Sequence, residues 1–377
     1  MSTGAAPTPT PFRIEIPETD LTDLRERLSR TRWPEAETVE GWSQGMPLAY
    51  TRELAEYWRD GYEWRATERR LAELPQYRLA IDGLAVHYAH VRSPHPGALP
   101  LLVTHGWPGS ITDLLDLVEP LTRPEDPADA FDLVLPSLPG YGFSDKPSGT
   151  GWGVDRMAKA FAQLMAALGY ERYGAHGTDW GSFITGALGT ADPDHLAGIH
   201  LAMPFAAPPK EQVELSERDL AGLAKLKEFQ QNEGGYATIQ ATRPQTLGYG
   251  LTDSPVGQLA WAAEKYWAWS DHDGDLDKAI ARDRVLDAVS VNWFTRTAVS
   301  SARIYWESYN NMALAPVHVP TACVTYPKDG RMPRAWCERR FTDLRSWIDH
   351  EAGGHFPALE DPRLLAEELR AFFRPLR

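Results

Sequence analysis

The hexapeptide HGTDWG at residues 176–181 decides how the rest of the chain is interpreted. It lies between a strand-like and a helix-like apolar run, and its G-x-D-x-G pattern is typical of a sharp strand-to-helix turn with Asp179 at the tip. Such a turn brings backbone segments so close that glycine is needed on both sides, where Gly177 and Gly181 stand. The turn predicts a carboxylate nucleophile. An aspartate that only caps a helix beginning at Trp180 fits the same letters, so partners elsewhere must decide.

Aspartate at this position implies chemistry different from that of the serine in the related G-x-S-x-G turn, which attacks an acyl carbon. A carboxylate is a weaker nucleophile than an activated serine and suits an alkyl carbon that is already electrophilic. Its attack gives an ester, which water must then hydrolyse. We therefore disfavour a serine esterase.

Composition and charge limit the partners and the location of the chain. A net charge of −14 argues against nucleic acid or an anionic membrane as partner, because phosphates would be repelled rather than neutralised. Cys323 and Cys337 are the only cysteines, too few for a disulfide framework, which indicates a reducing cytoplasm. We see no secretion signal and no apolar run near the ~18 residues of a membrane span. We expect a soluble, cytoplasmic protein.

The first hundred residues predict an appendage to a later sheet. We expect a flexible start over residues 1–11, an amphipathic helix with an acidic cap at 20–28 and a second helix from Leu54 to Leu71. The alternation over residues 77–92, with a turn at Asp82-Gly83, predicts an antiparallel strand pair.

The pattern then changes to short apolar strands that alternate with helices, which is typical of a parallel sheet buried on both faces. We predict strands at residues 101–104, 132–135, 196–201 and 321–326, with a helix from Val154 to Leu168 capped by Asp155. The predicted division of the chain is an N-terminal extension at 1–95, a first core part at 96–204, a helical lid at 205–316 and a second core part at 317–377.

Two residues late in the chain complete a candidate catalytic set with Asp179. Where a nucleophile stands on such a turn, an acid and a histidine follow in that chain order, each on a loop beyond a strand. Asp329 follows the predicted strand at 321–326, and His355 stands in EAGGHF at 351–356. The glycines before His355 allow close backbone approach, which a solvated loop does not require. A plain turn residue at Asp329 is the alternative.

The motif HGWPGS at residues 105–110 directly follows the strand predicted at 101–104. In that place the backbone N–H groups of Trp107 and Trp180 would converge on a developing oxyanion. The alternative is a β-turn with a packed tryptophan. We expect the histidines that open this motif and HGTDWG to be structural.

Together, the motifs of the chain resemble those of the epoxide hydrolases of the α/β-hydrolase superfamily, specifically the microsomal-type branch with its extra N-terminal region. The resemblance runs from about residue 11 to the C-terminus and implies an α/β-hydrolase fold, with a mostly parallel central sheet flanked by helices and a helical lid. Thr178 departs from a frequent glycine, and the membrane anchor of the mammalian members is missing. The resemblance rests on RWP (32–34), HGWPGS (105–110), GYGFS (140–144), HGTDWG (176–181), ATRP (241–244) and GGHF (353–356).

This resemblance implies a role for each residue of the candidate set. Asp179 would be the nucleophile, His355 the base and Asp329 the acid that orients it, while Tyr236 and Tyr305 in the lid would donate to the epoxide oxygen. Phenols suit that task because they stay neutral at pH 7. The implied reaction adds water to an epoxide to give a vicinal diol through an ester on Asp179, without a cofactor.

Two other functions are compatible with this strand-to-helix turn at residues 176–181, which is called the elbow below. A haloalkane dehalogenase shares the aspartate nucleophile, and Trp180 would then bind halide, but the lid tyrosines suit an alkoxide better. A non-catalytic binding protein of the same fold is the second alternative, and the complete set of Asp179, Asp329 and His355 argues against it. The acidic run at 271–277 lacks EF-hand spacing, so we expect a solvated loop and no metal.

Partners are expected to be a small-molecule epoxide and water, with the oligomeric state open and a homodimer as one option. Soluble bacterial members of this branch include enzymes of antibiotic biosynthesis, so the resemblance implies a bulky, aromatic natural-product epoxide. We expect core packing to explain most of the lid aromatics, which are Tyr249, Trp261, Tyr266, Trp267, Trp269 and Trp293.

Overall fold

The structure is a computed structural model and describes residues 8–211 and 213–377. Its strands are β1 (Thr10–Pro11), β2 (Gln76–Ile81), β3 (Leu84–Val91), β4 (Leu99–Thr104), β5 (Phe131–Pro136), β6 (Tyr173–Gly177), β7 (Leu196–Ala202), β8 (Thr321–Thr325) and β9 (Leu344–Asp349).

The helices before the lid are α1 (Glu18–Ser29), α2 (Leu48–Asp60), α3 (Trp64–Ala72), α4 (Val118–Thr122), α5 (Val154–Ala167) and α6 (Trp180–Ala191). Those between β7 and β8 are α7 (Glu217–Asn232), α8 (Gly235–Thr242), α9 (Pro244–Asp253), α10 (Pro255–Trp269), α11 (Leu276–Ala279), α12 (Arg282–Phe294) and α13 (Ala298–Ser308). The last are α14 (Arg334–Arg340), α15 (Pro357–Glu360) and α16 (Pro362–Phe373), and short 3₁₀ helices span Ile111–Leu117, Pro127–Asp129 and Arg374–Leu376.

The described strands form one sheet in the order β1-β2-β3-β5-β4-β6-β7-β8-β9. The pairs up to β3 with β5 are antiparallel, and all later neighbours are parallel. Strands β4, β6 and β8 are buried because helices cover both faces of the sheet. Parallel strands end at a common edge, so the loops after β4, β6 and β8 meet there. The predicted α/β class with a mostly parallel sheet is confirmed.

The N-terminal region contains the predicted hairpin and one strand that the sequence did not indicate. Strands β2 and β3 pair around Asp82 and Gly83, whose φ angles of 49° and 83° make the tight turn. Residues 1–11 were expected to be flexible, but β1 pairs with β2. That expectation was wrong for β1, because its backbone supplies the open edge of β2 with hydrogen bonds. Residues 1–7 of this segment lie outside the described residues.

Two helix predictions also need correction. The helix expected from Leu54 to Leu71 is two helices, α2 and α3, because α2 ends at Gly61, where the missing side chain lowers helix propensity. The cap of α5 is Gly153, not Asp155, which lies one residue inside the helix. No side chain caps α5, so Asp155 contributes only a favourable charge in its first turn.

The serine form of the elbow also occurs in the chain, as GWSQG at residues 41–45. It forms exposed turns between α1 and α2 rather than a passage from a strand to a helix. The motif therefore lacks the structural context of a nucleophile, which is why its letters carry no catalytic meaning.

The N-terminal helices bind helix α12, which belongs to the set of helices between β7 and β8. The Trp58 indole donates to Ser290 Oγ at 2.9 Å, and the Tyr62 hydroxyl donates to Asp287 Oδ1 at 2.7 Å. Asp287 is 1% exposed, and its burial raises the pKa of its carboxyl to about 6. These polar contacts hold the N-terminal region against α12.

We predict that Tyr62→Phe destabilises the protein by about 1–3 kcal/mol, because it takes a donor from a buried carboxyl group. Tyr57→Phe is the matched control, since the Tyr57 hydroxyl donates to Asp283 over the same 2.7 Å at the exposed surface. It should change the free energy of unfolding by less than about 0.5 kcal/mol. Urea unfolding measures both changes. Equal losses of unfolding free energy in the two variants would contradict the proposed role of the buried Tyr62–Asp287 hydrogen bond.

Candidate active site

Asp179 stands at the tip of the turn between β6 and α6, with φ 50° and ψ −127°. Only tight packing holds a residue with a side chain at such a φ, and here the packing is backbone against backbone. A Cβ on Gly177 would lie 2.1 Å from the Gly181 carbonyl oxygen, and one on Gly181 would lie 2.2 Å from that of Thr104. The two glycines of the motif are therefore required by the turn.

The Asp179 side chain makes no capping hydrogen bond to α6, although the residue occupies the cap position. Its Oδ1 instead accepts a hydrogen bond from the backbone N–H of Trp107 at 2.7 Å. The loop after β4 approaches so closely that a Cβ on Gly106 would lie 2.0 Å from the same oxygen. Trp180 begins α6, where the first backbone N–H groups have no intrahelical acceptor. The structure thus brings the HGWPGS loop to the carboxylate.

His355 lies between two carboxylates. Its Nδ1 donates to Asp329 Oδ1 at 3.1 Å, and its Nε2 lies 3.3 Å from Asp179 Oδ2, a close contact without the alignment of a hydrogen bond. All three side chains are largely buried. Asp179, His355 and Asp329 therefore form a continuous line from the elbow to the loop after β8.

Two opposing effects set the pKa of His355. Burial lowers it, but the negative charge of Asp329 and the contacts with both carboxylates outweigh burial and raise the pKa to about 10. With both carboxylates ionised, the imidazole is protonated at neutral pH. A charged histidine beside Asp179 is the resting arrangement of this site.

Two acidic residues that the sequence analysis did not select position the histidine loop. Asp271 accepts the Gly353 N–H at 2.8 Å, and Glu360 accepts the N–H groups of Asp271 at 2.9 Å and Phe356 at 3.0 Å. The expectation of a solvated acidic loop was therefore wrong for Asp271. Its position before α11 gave no signal of this role, because its partner lies 82 residues later in the chain.

The two tyrosines lie beside Asp179 in the wall of one cavity. Tyr305 is 2% exposed, and its ring packs edge-on against Trp180 at 4.8 Å between centroids. Tyr236 stacks on Trp107 at 5.1 Å and lies 5.7 Å from Tyr305. Burial raises the pKa of both phenols well above the ordinary value, so both are neutral donors.

The cavity has a volume of about 340 Å³ and reaches Asp179, Asp329 and His355. Of the lid aromatics named from the sequence, Trp269 lines it, whereas Tyr249 is 70% exposed. Most of the lining is apolar, and its aromatic members are Trp180, Phe183, Phe205, Phe229, Tyr236, Trp269, Tyr305 and Tyr309.

His105 and His176 are buried and hydrogen-bonded outside the line of Asp179, His355 and Asp329. His105 Nδ1 donates to the Gly106 carbonyl oxygen, and His176 contacts His200. Among residues 8–211 and 213–377, no cluster of His, Cys, Asp or Glu has the arrangement of a metal site, and no helix is long and apolar enough to cross a membrane.

Comparison with known proteins identifies the family. A family model described as "Epoxide hydrolase N terminus" matches residues 9–114, and one described as "alpha/beta hydrolase fold" matches residues 100–235. A protein of Stigmatella aurantiaca (strain DW4/3-1) that is assigned as an epoxide hydrolase is 48% identical, over 98% of this chain and 85% of the relative. The chain belongs to the epoxide hydrolase family. Epoxide hydrolase 1 of Sus scrofa is 31% identical, over 96% of this chain and 88% of its own.

Solved structures agree with this assignment. Juvenile hormone epoxide hydrolase of Bombyx mori superposes with a TM-score of 0.92 at 31% identity, over 98% of this chain and 95% of its own. Aspergillus niger epoxide hydrolase gives 0.89 at 31% identity, over 99% and 98%. The predicted α/β-hydrolase fold is confirmed for this epoxide hydrolase. Neither a haloalkane dehalogenase nor a non-catalytic binding protein is favoured.

We predict that Asp179→Asn lowers the pKa of His355 by about one unit or more, because it removes a charge that favours the imidazolium. Asp329→Asn should lower it further, since that carboxylate contributes most to raising it. Histidine titration by NMR gives the values, with exposed His195, which Asp192 holds at a raised pKa, as the internal control. A His355 pKa unchanged in both variants would refute this account of the charges.

Proposed function

We propose that this epoxide hydrolase forms vicinal diols through a covalent ester on Asp179. The observation that carries the proposal is the position of the Asp179 carboxylate, with Oδ1 on the Trp107 N–H at 2.7 Å and Oδ2 3.3 Å from His355 Nε2. An aspartate with a structural role alone needs neither a protonated histidine nor an N–H from a separate loop.

In the first step, Asp179 Oδ2 attacks an epoxide carbon. Oδ1 is held by the Trp107 N–H, so Oδ2 is the oxygen free to form the new bond. Opening the ring places negative charge on the epoxide oxygen, which Tyr236 and Tyr305 stabilise by donating hydrogen bonds. General-acid assistance of this kind contributes typically about 10²–10⁴-fold. One of the two tyrosines transfers its proton to that oxygen, so the products of the step are an alkyl ester on Asp179, a hydroxyl group on the neighbouring carbon and a phenolate.

In the second step, water attacks the ester carbonyl. The charge that develops on Oδ1 stays on the Trp107 N–H, and the N–H of Trp180 lies at the start of α6 to serve the same oxygen. His355 takes the proton from the attacking water, and Asp329 holds the imidazole in place through Nδ1. The diol leaves with Oδ2 and takes a proton from the His355 imidazolium. The new carboxylic acid then gives its proton to His355, and the Asp179 carboxylate keeps the oxygen that came from water.

The change in charge between the steps switches the role of His355. In the resting site the two carboxylates keep the imidazole protonated. Esterification neutralises Asp179 and removes part of what raises the pKa of His355, so the imidazolium can release its proton, and that proton restores the phenol of the tyrosine that protonated the epoxide oxygen. His355 therefore becomes a base only after the ester has formed.

The cavity favours an apolar substrate. Its aromatic lining surrounds a volume of about 340 Å³, which suits a bulky aromatic or polyunsaturated epoxide better than a small polar one. A natural-product epoxide, as in antibiotic biosynthesis, fits this lining. The relative from Bombyx mori is named for juvenile hormone, and its similarity supports a large apolar substrate.

We also propose the division of the chain into an N-terminal extension at 1–95, a first core part at 96–204, a helical lid at 205–316 and a second core part at 317–377, because helices α7 to α13 follow β7 and precede β8.

A cytoplasmic location is supported by Cys323 and Cys337, which are both free.

We predict that His355→Gln accumulates the ester, because Asp179 can still attack while no base activates water. After mixing with styrene oxide, intact-protein mass spectrometry should show a gain of one substrate mass. His195→Gln, a change at an exposed histidine, is the control and should show no adduct after turnover. Substrate binding to His355→Gln without any adduct would contradict the two-step reaction.

A single turnover in ¹⁸O-water tests the nucleophile directly. If Asp179 forms the ester, the diol takes Oδ2 and the solvent oxygen stays on the protein. With enzyme in excess, the label should therefore appear in the peptide that carries Asp179 and be scarce in the diol. Labelled diol with unlabelled peptide would mean that water attacks the epoxide directly.

A further inference from the structure

Lys265 on helix α10 is a buried lysine beside the cavity. It is 5% exposed, and it is the only buried lysine within the part of the chain that the structure describes. Removing an ammonium group from water is costly, so a buried lysine needs strong partners. Its Nζ lies 2.5 Å from Glu264 Oε2 and 4.6 Å from the centre of the Tyr236 ring.

The pair with Glu264 does not by itself explain this position. Glu264 is on the same helix and keeps 19% of its side chain exposed, so a lysine could meet it at the surface. Nζ instead lies inside, over Tyr236, with the Trp269 ring 5.8 Å away. An ammonium over the face of a phenol is attracted by the electrons of the ring.

The two lid tyrosines differ in this respect. Tyr305 is surrounded by the rings of Trp107, Trp180, Tyr236 and Tyr309. Among the described residues no cation lies over its ring, whereas Lys265 lies over that of Tyr236. Both phenols are buried beside Asp179, and burial opposes negative charge on either oxygen.

We infer that Lys265 is a positioning residue that makes Tyr236 the stronger of the two donors to the epoxide oxygen. The inference rests on the proposed role of Tyr236. As the ring opens, the Tyr236 proton moves toward the epoxide oxygen and negative charge grows on the phenol. A nearby positive charge stabilises that change, and its effect is large where water is excluded. Tyr305 has no such support.

The inference predicts a specific loss in Lys265→Met. Alkylation of Asp179 in a single turnover with styrene oxide should slow about tenfold, because the negative charge that grows on the Tyr236 phenol loses the cation beside it. Hydrolysis of the ester should stay within about twofold, because Tyr236 acts in the first step. Lys265→Arg should restore most of the alkylation rate, and Lys278→Met, at a lysine that is 70% exposed, is the control.

A double-mutant cycle separates this role from support of the fold. In a Tyr236→Phe background, Lys265→Met should have no further effect on alkylation, whereas in a Tyr305→Phe background it should retain its full effect. An equal loss in both backgrounds would overturn the inference and leave Lys265 as a structural residue. Lys265→Gln repeats the cycle if the methionine variant does not fold.

The tyrosine variants make the inference testable without any change at Lys265. Tyr236→Phe should slow alkylation more than Tyr305→Phe does. Equal or reversed losses would contradict the inference while keeping both tyrosines as donors. Normal alkylation in the double tyrosine variant would instead refute the proposed roles of Tyr236 and Tyr305, so the two failures are distinguishable.

Discussion

The contact on which the rest of the site depends is the approach of the loop after β4 to the Asp179 carboxylate. It fixes one carboxylate oxygen on the Trp107 N–H and leaves the other facing His355. The approach is possible because glycine stands at residues 106, 177 and 181, where a Cβ would lie within about 2 Å of an oxygen atom. Backbone packing therefore determines which carboxylate oxygen accepts the Trp107 N–H and which faces His355.

Charge organises the site around that contact. Two carboxylates flank His355 and overcome the effect of its burial on the pKa, so the imidazole carries a proton. In the proposed reaction it keeps that proton until Asp179 forms the ester. Lys265 lies over the Tyr236 ring, where the inferred mechanism places growing negative charge on the phenol. The charged groups therefore lie beside the groups whose charge changes in the proposed reaction, the carboxylates beside His355 and the Lys265 ammonium beside Tyr236.

The helices between β7 and β8 contribute to two parts of the site, the contacts to the histidine loop and the pair of tyrosines. Asp271 and Trp269, which follow one another closely at the end of α10, both bind the histidine loop, through Gly353 and through the His355 N–H at 2.9 Å. Tyr236 and Tyr305 come from α8 and α13. The same set of helices therefore carries the two tyrosines proposed as donors and contacts the loop that carries His355.

The sequence by itself determined the elbow, the order of Asp179, Asp329 and His355, and the α/β alternation, because each depends on neighbouring residues and on spacing along one segment. Motif resemblance supplied Tyr236 and Tyr305, which spacing alone does not distinguish from the other tyrosines. The sequence analysis missed the break at Gly61, which is a local effect of glycine. It also missed two details that depend on partners far along the chain, the pairing of β1 and the anchoring role of Asp271. Only the tertiary structure decided that one carboxylate oxygen of Asp179 meets the Trp107 N–H while the other faces His355, and that Lys265 lies over Tyr236. Both follow from how distant segments pack, since interactions between side chains far apart in sequence leave no periodic pattern in either segment.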